Sequence, residues 1–217
     1  MTARGQAVLE GIRFAASVVS DPSGGLFLWK TATGGKAVGC LPGTPVSELL
    51  HATGLLPVAL ESPEELSLVS GHIDAWLVGM DPSPFFIPSE GRPCFTFPCV
   101  PPGTLEEALD RVEALAEWAY LVSGSPASEG SLWRSLRAYA TRRSLLDALD
   151  ERCALETAFL TPEERHDIVR AGSFLPTGAH SRLLSAILGV EPGPAVLPAE
   201  GEKGDPLIVL ARRLVSR

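Results

Sequence analysis

Two segments of the sequence place reactive or polar side chains directly after a predicted β-strand. The first, GGKAVGCLPGTPVSELLH, is typical of a strand, a tight turn and a helix, with Cys40 at the end of the strand. Gly43 and Thr44 lie in the turn, and Thr44 is the predicted N-cap. Because a helix N-terminus exposes N–H groups that can bind a phosphate or a carboxylate, both are candidate ligand-binding residues. Glu48, in the first helical turn, is a candidate catalytic base, although the helix dipole alone favours a carboxylate there.

The second segment is the apolar run IDAWLVGMD, which ends at Asp81. An aspartate in a loop after a buried strand is a frequent position for a binding or catalytic residue. An aspartate before a proline is an equally common turn initiator. Asp81 is therefore a candidate for both ligand binding and catalysis, and the structural role stays open as the alternative.

The cysteines follow neither the CxxC spacing nor a zinc-binding Cys/His spacing; they are Cys40, Cys94, Cys99 and Cys153. Cys94 and Cys99 are five residues apart, and in an extended segment an odd separation places two side chains on opposite faces. Buried free thiols are therefore the favoured interpretation. The alternative is that Cys40, Cys94 and Cys99 converge at the edge of the predicted sheet as metal ligands.

Common cofactor and nucleophile motifs are absent from the sequence. GCLPGTP matches neither GxGxxG nor GxxxxGK[ST], so NAD and ATP are not expected ligands. No GxSxG nucleophile elbow occurs. The histidines are scattered along the chain, and structural roles are favoured for all of them: His51, His72, His166 and His180.

The order of the predicted elements indicates an α/β fold. Strands are predicted over residues 36–40, 55–61, 73–81 and 94–100. Helices are predicted over residues 6–20, 104–123, 131–157, 161–171 and 180–188. Two short helices are also predicted, one between the first and second strands and one between the second and third. A strand, a short helix and a strand at this spacing are typical of a parallel βαβ unit. Continuous apolar runs are typical of strands that are covered on both faces.

We therefore expect a short parallel Rossmann-like sheet flanked by helices, followed by a helical C-terminal part. Three regions are predicted: an α/β lobe with an N-terminal helix over residues 1–103, a helical region over 104–190, and a linker with a terminal strand-like segment, PLIVLARRLV, over 191–217. Ligands of parallel α/β sheets bind at the carboxyl ends of the strands, so residues 40–44, 80–81 and Cys99 are expected along one edge.

Composition and charge exclude several partner classes. The chain of 217 residues has a formal net charge of −8, whereas binding to a phosphate backbone needs a concentration of Lys and Arg. No apolar segment is long enough to span a bilayer. Glu10 and Arg13 interrupt the N-terminal apolar stretch, where a signal peptide needs its apolar region. We therefore expect a cytoplasmic protein that binds neither nucleic acid nor membrane.

A family resemblance is carried by four segments in order: GGKAVGCLPGTPVSELLHATGLLPVALE, IDAWLVGMD, FTFPCVPPGTLEEALDRVEALAEWAYLVSGS and SLWRSLRAYATRRSLLDAL. These residues match the first family motif: Glu48, Leu49, Leu50, Ala52, Gly54, Pro57 and Val58. Residues 137–146 are similar to its last motif, with Thr141 in place of the usual Asn and Arg143 at the usual Arg. From about residue 8 to residue 188 the chain resembles the 2-hydroxyacyl-CoA dehydratase and benzoyl-CoA reductase family.

The resemblance implies an acyl-CoA ligand, paired subunits of two related α/β lobes each, and a cysteine-ligated iron–sulfur cluster that an ATP-driven activator reduces. The chain departs from this pattern where the cluster would bind. Pro42 stands at the usual cluster cysteine, and Met80-Asp81 stands at the usual Cys-Asp pair. A thioether is a poor substitute for a thiolate ligand of iron. The sequence also stops about where the second lobe would begin.

The resemblance and its departures favour a cluster-free binding, scaffolding or assembly subunit with an acyl-CoA ligand, in a homo- or hetero-oligomer with a related subunit. An iron–sulfur cluster held by this chain alone is not expected. One alternative is a catalytic component of a hetero-oligomeric iron–sulfur acyl-CoA dehydratase or reductase, in which Cys40 or Cys99 helps to hold the cluster. Another is an unrelated small-molecule-binding protein.

Overall fold

A computed structural model describes residues 3–40, 46–79, 91–98, 101–156, 158–191 and 205–214. The chain folds into two compact units. The sheet unit comprises Phe27–Leu136 and Pro198–Arg217, and the helical unit comprises Met1–Leu26 and Arg137–Leu197. The regions predicted from the sequence have their boundaries elsewhere, at residues 103 and 190.

Two helices come first, strands and helices alternate over residues 36–79, a fourth strand follows, and the described elements are helical from residue 105 onward. The strands are β1 (Lys36–Cys40), β2 (Leu55–Ala59), β3 (Ala75–Gly79) and β4 (Cys94–Phe97). The helices are α1 (Ala3–Ser20), α2 (Pro22–Thr33), α3 (Ser47–Ala52), α4 (Pro63–Val69), α5 (Leu105–Ser123), α6 (Glu129–Leu155), α7 (Pro162–Ala171), α8 (Thr177–Leu188) and α9 (Pro206–Arg213). A short 3-10 turn, Ser70–His72, follows α4.

The four strands form one parallel sheet in the order β2-β1-β3-β4. Cys40 of β1 pairs with Ala59 of β2 and with Leu77 of β3, and Trp76 of β3 pairs with Cys94 of β4. The central strands β1 and β3 are almost completely buried, as their continuous apolar sequences predict. The predicted fold class is confirmed: an α/β fold with a short parallel Rossmann-like sheet, flanked by helices and followed by a helical part.

The core of the sheet unit forms where helices cover the sheet. Leu49 and Leu50 of α3 are buried in the same core as a stripe of α5. That stripe consists of Leu109, Val112, Leu115, Ala119 and Val122. Full burial of one such leucine stabilises the fold by roughly 1.5–3 kcal/mol. The apolar face of α5 therefore anchors the sheet unit, and its polar face remains available for other contacts.

Lys30 and Asp74 join α2 to the beginnings of the two central strands. Lys30 Nζ donates to Asp74 Oδ2 at 2.7 Å and to the carbonyl of His72 at 2.9 Å. The Asp74 carboxylate also accepts from the backbone N–H of Ala37 at 2.7 Å. These hydrogen bonds therefore connect α2 to the N-terminal ends of β1 and β3 and have a structural role.

The predicted helix N-caps at Ser62, Thr104 and Thr161 are confirmed. In each case the hydroxyl oxygen accepts from the backbone N–H three residues later, which satisfies a donor that the helix itself leaves open. The Glu164 carboxylate also accepts from the Thr161 N–H at 2.7 Å, which completes a capping box. These helix starts are set by local sequence.

The predicted terminal strand is wrong, because Pro206–Arg213 form helix α9. Asp205 begins the helix, and its carboxylate accepts from the Leu207 N–H at 2.8 Å. Leu207, Leu210 and Ala211 recur at helical spacing and are buried in the same core as α5. A short apolar run fits either a strand or a buried helix, and the Asp-Pro start together with burial on one face selected the helix.

The DPSGG segment ends α1, as predicted, but it also begins helix α2, which was not predicted. The Asp21 carboxylate accepts from the Gly24 N–H at 2.9 Å. Pro22 stands in the first turn, where its missing N–H costs nothing. The same residues that stop one helix therefore serve as the start signal of the next.

In the helical unit, α1 packs against α7 and α8. Gly11 allows a close approach to α8, because a Cβ at this position would lie 2.7 Å from Ile187 Cγ1. The helix predicted over residues 180–188 begins earlier, at Thr177. Over the described part of the chain, no helix has both the length and the apolar character that crossing a membrane requires.

Candidate functional site

The ends of β1 and β3 form the part of the sheet to which the sequence assigns its candidate residues. β1 continues through α3 to β2 on one side, whereas β3 lies on its other side. This boundary is the switch point at which parallel α/β sheets bind ligands. Four of the candidates lie outside the described residues: Gly43, Thr44, Asp81 and Cys99.

Cys40, the last residue of β1, is a buried thiol. Its side chain is 5% exposed, and Sγ donates to the Val38 carbonyl at 3.6 Å. Burial raises the pKa of this thiol to about 12, because the thiolate would lose its hydration. Cys40 is therefore a neutral, apolar strand terminus, as the favoured interpretation of the sequence had it.

Cys94, the first residue of β4, is exposed and does not converge with Cys40. In a parallel sheet paired residues point to the same face, and neighbours along a strand point to opposite faces. Cys40 pairs with Leu77 and Cys94 pairs with Trp76, so the two thiols lie on opposite faces of the sheet. They are also two strands apart, which is roughly 9–10 Å. One iron site cannot use both.

Glu48 lies in the first turn of α3 and is half-buried. The N-cap of this helix is Val46 rather than the predicted Thr44, which lies outside the described residues. Val46 makes no side-chain cap bond, so the helix start depends on the chain around it and not on a capping hydroxyl. Glu48 is thus placed on the helix that follows β1, as expected from the sequence.

A Ser–His pair joins α3 to α6 and was not expected from the sequence. His51 Nδ1 lies 2.9 Å from Ser135 Oγ, and the Ser135 hydroxyl donates to the Glu48 carbonyl at 2.6 Å. Since the hydroxyl proton is directed at Glu48, His51 Nδ1 must donate to Ser135 Oγ. A histidine in that state cannot take the serine proton, and Ser135 is completely buried. The pair is therefore a structural link and not a nucleophile with its base.

His180, in the helical unit, is a second buried histidine. It is 1% exposed, and its Nε2 lies 2.8 Å from the Ile168 carbonyl, while Nδ1 has no hydrogen-bond partner within the described ranges. The pKa of His180 is lowered to about 4, mainly because burial removes the hydration of the charged ring; the hydrogen bond to the Ile168 carbonyl opposes this shift and the charge of Arg142 adds to it. Gly172 leaves room for the ring, since a Cβ there would lie 2.4 Å from His180 Cε1. His180 is a neutral packing residue, the structural role that the sequence favours.

The described part of the switch point contains one neutral thiol and one half-buried carboxylate, on β1 and α3. Within these ranges, no three His, Cys, Asp or Glu side chains are grouped so that they could hold a metal ion. Glu48 lies on the helix that follows β1, and Cys40 contributes apolar packing to the core of the sheet unit.

No protein-family model and no curated protein matches the sequence. The functional assignment therefore depends on the motifs quoted above and on the geometry of the sheet.

Proposed function

We propose that this protein is a cluster-free subunit of the 2-hydroxyacyl-CoA dehydratase type. It binds an acyl-CoA ligand at the ends of β1 and β3 and serves as a binding, scaffolding or assembly subunit beside a related chain. The observation that carries the proposal is the state of Cys40. This residue is the cysteine nearest to the expected cluster position at Pro42, and it is buried at the end of β1 on the face of the sheet opposite to Cys94.

The chemistry of cluster ligation supports the cluster-free assignment. Iron–sulfur clusters are held by cysteine thiolates, and each ligand must lose its proton. Cys40 is 5% exposed, and Cys94 lies on the other face of the sheet, two strands away. The two thiols therefore do not supply a common site.

The strand order supports a ligand at the same place. β1 and β3 are the buried centre of the sheet, and their chain connections lead to opposite sides. Such a boundary leaves a crevice beyond the strand ends. Glu48 on α3 is the described carboxylate that follows β1.

Iron and acid-labile sulfide analysis of the anaerobically purified protein, with its visible absorption spectrum, tests the cluster-free assignment. We expect a colourless protein with no stoichiometric iron, before and after chemical reconstitution, and the same result for Cys40→Ala. Stoichiometric iron that is lost in Cys40→Ala would instead support the alternative of a catalytic iron–sulfur component.

Calorimetric titration with CoA and with butyryl-CoA tests the ligand. We expect saturable binding of butyryl-CoA and weaker binding of ATP, which lacks the pantetheine and acyl parts. Thr44→Ala should weaken binding, whereas Thr31→Ala, an exposed threonine of α2, should leave it unchanged. If butyryl-CoA fails to bind while the protein is folded, the unrelated small-molecule-binding protein becomes the better assignment.

A further inference from the structure

A groove on the sheet unit lies between the polar side of α5 and helix α9, with a cavity volume of about 180 Å³. Its floor is apolar and is formed by Ala116, Ala127, Leu210 and Leu214. Its rim carries the charged groups of Glu113, Glu117 and Arg213 and the ring of Tyr120. An apolar floor under a charged rim is the usual construction of a small-ligand site.

The rim has an excess of negative charge at one point. Arg213 Nη1 lies 3.3 Å from Glu113 Oε1, so this guanidinium is directed at Glu113. Glu117 stands one helical turn further along α5 and is exposed, and no cation of the described residues pairs with it. Tyr120, 47% exposed, follows three residues later on the same side of the helix. A cation in the groove would thus meet a carboxylate and an aromatic face together.

We propose that this groove binds a small amine: one ammonium group on a compact apolar body, such as an arylalkylamine. The ammonium lies between Glu117 and the Tyr120 ring, and the apolar body lies against Ala116 and Leu210. The volume of the groove is sufficient for the aromatic ring of such an amine, because an apolar cavity of about 150 Å³ accommodates one benzene molecule. The charge of the groove favours a cation as well, because an anion would lie beside the carboxylates of Glu113 and Glu117 and a neutral ligand would gain no charge interaction with Glu117.

Ligand-observed and protein-observed NMR titrations with benzylamine test the proposal, with benzyl alcohol and benzoate as probes of equal ring size. We expect benzylamine to bind about two- to fivefold more tightly than benzyl alcohol, the range of a partly exposed charge pair, and benzoate to bind most weakly. The resonances that shift should belong to residues of α5 and α9.

Two substitutions of opposite sign distinguish a charge-selective site from a simple apolar hollow. Glu117→Gln should weaken benzylamine binding about two- to fivefold, whereas Arg213→Gln should tighten it by a similar factor, because it removes the competing cation. Neither substitution should change the affinity for benzyl alcohol. Glu106→Gln on α5 and Arg212→Gln on α9 do not line the groove and should leave all three affinities unchanged.

A filled groove provides the final control. Ala116→Leu should abolish benzylamine binding while the circular dichroism spectrum and melting temperature show a folded protein. Equal affinities for the three probes would overturn the proposal, as would Glu117→Gln and Arg213→Gln shifting the benzylamine affinity in the same direction. Benzylamine binding that persists in folded Ala116→Leu would overturn the location.

Discussion

Acid should destabilise the helical unit through one residue, His180. The ring is buried and neutral in the folded state, with a pKa of about 4, whereas the unfolded chain has the ordinary value of 6.5. Between these two values the unfolded state binds more protons than the folded state, so the free energy of unfolding falls as the pH is lowered. The stability is fully present above pH 6.5 and is lost progressively down to about pH 4.

The magnitude follows from the two pKa values. The full shift corresponds to about 3 kcal/mol, and a change from pH 7 to pH 4.5 should remove about 2 kcal/mol of it. His180→Gln keeps a side-chain donor for the Ile168 carbonyl and does not titrate. The opening free energy of the variant should therefore rise by about 2 kcal/mol relative to that of the wild type when the pH is lowered over that range.

Hydrogen exchange of peptides from α7 and α8, corrected for intrinsic exchange rates, measures this opening free energy at both pH values. Tryptophan fluorescence serves as an internal reference, because all four tryptophans belong to the sheet unit. His166→Gln, at an exposed position of α7, is the matched control and should follow the wild type. Parallel pH profiles for wild type and His180→Gln would refute the reasoning, because the buried ring would then not be the group that takes up the proton.

Three further substitutions test the packing and the caps, with urea unfolding as the measurement. Gly39→Ala should lower the free energy of unfolding by about 1–3 kcal/mol, because its Cβ would lie 2.2 Å from Trp76 Cζ3 in the buried sheet. Gly71→Ala, with open space around it, is the control and should change the free energy of unfolding by less than about 0.5 kcal/mol. Thr161→Ala should cost about 1 kcal/mol through loss of the capping box at α7, and an unchanged midpoint would contradict that assignment. Ser135→Ala should lower the free energy of unfolding by about 1–3 kcal/mol, because the buried link between α3 and α6 is lost, and an unchanged free energy of unfolding would contradict this structural role.

Local sequence was sufficient for three helix caps and for the parallel sheet. The caps at Ser62, Thr104 and Thr161 are read correctly because the accepting hydroxyl and the donating N–H are three residues apart. The parallel sheet is read correctly because strands covered on both faces need continuous apolar runs. The terminal helix α9 was missed because its apolar run is too short for periodicity to separate helix from strand.

Contacts between segments that are distant in the sequence decide which side chains come together at the candidate site. The separation of Cys40 from Cys94 depends on the register of three strands, which no spacing along the chain reveals. The bond between His51 and Ser135 joins positions that the sequence gives no reason to pair, and the direction of the Ser135 proton excludes His51 as the base that activates Ser135. The groove of α5 and α9 likewise exists because a distant segment packs as a helix beside Glu117.

The amino-acid sequence by itself determined the class of fold, the helix starts at Ser62, Thr104 and Thr161 and the absence of the common cofactor motifs, because propensity, capping and apolar periodicity act over short stretches of chain. The strand order, the faces on which the thiols lie, and the protonation states of Cys40 and His180 were decided by the tertiary structure. The physical reason is that strand register depends on which distant segments pair. Desolvation depends on which distant segments exclude water from a side chain.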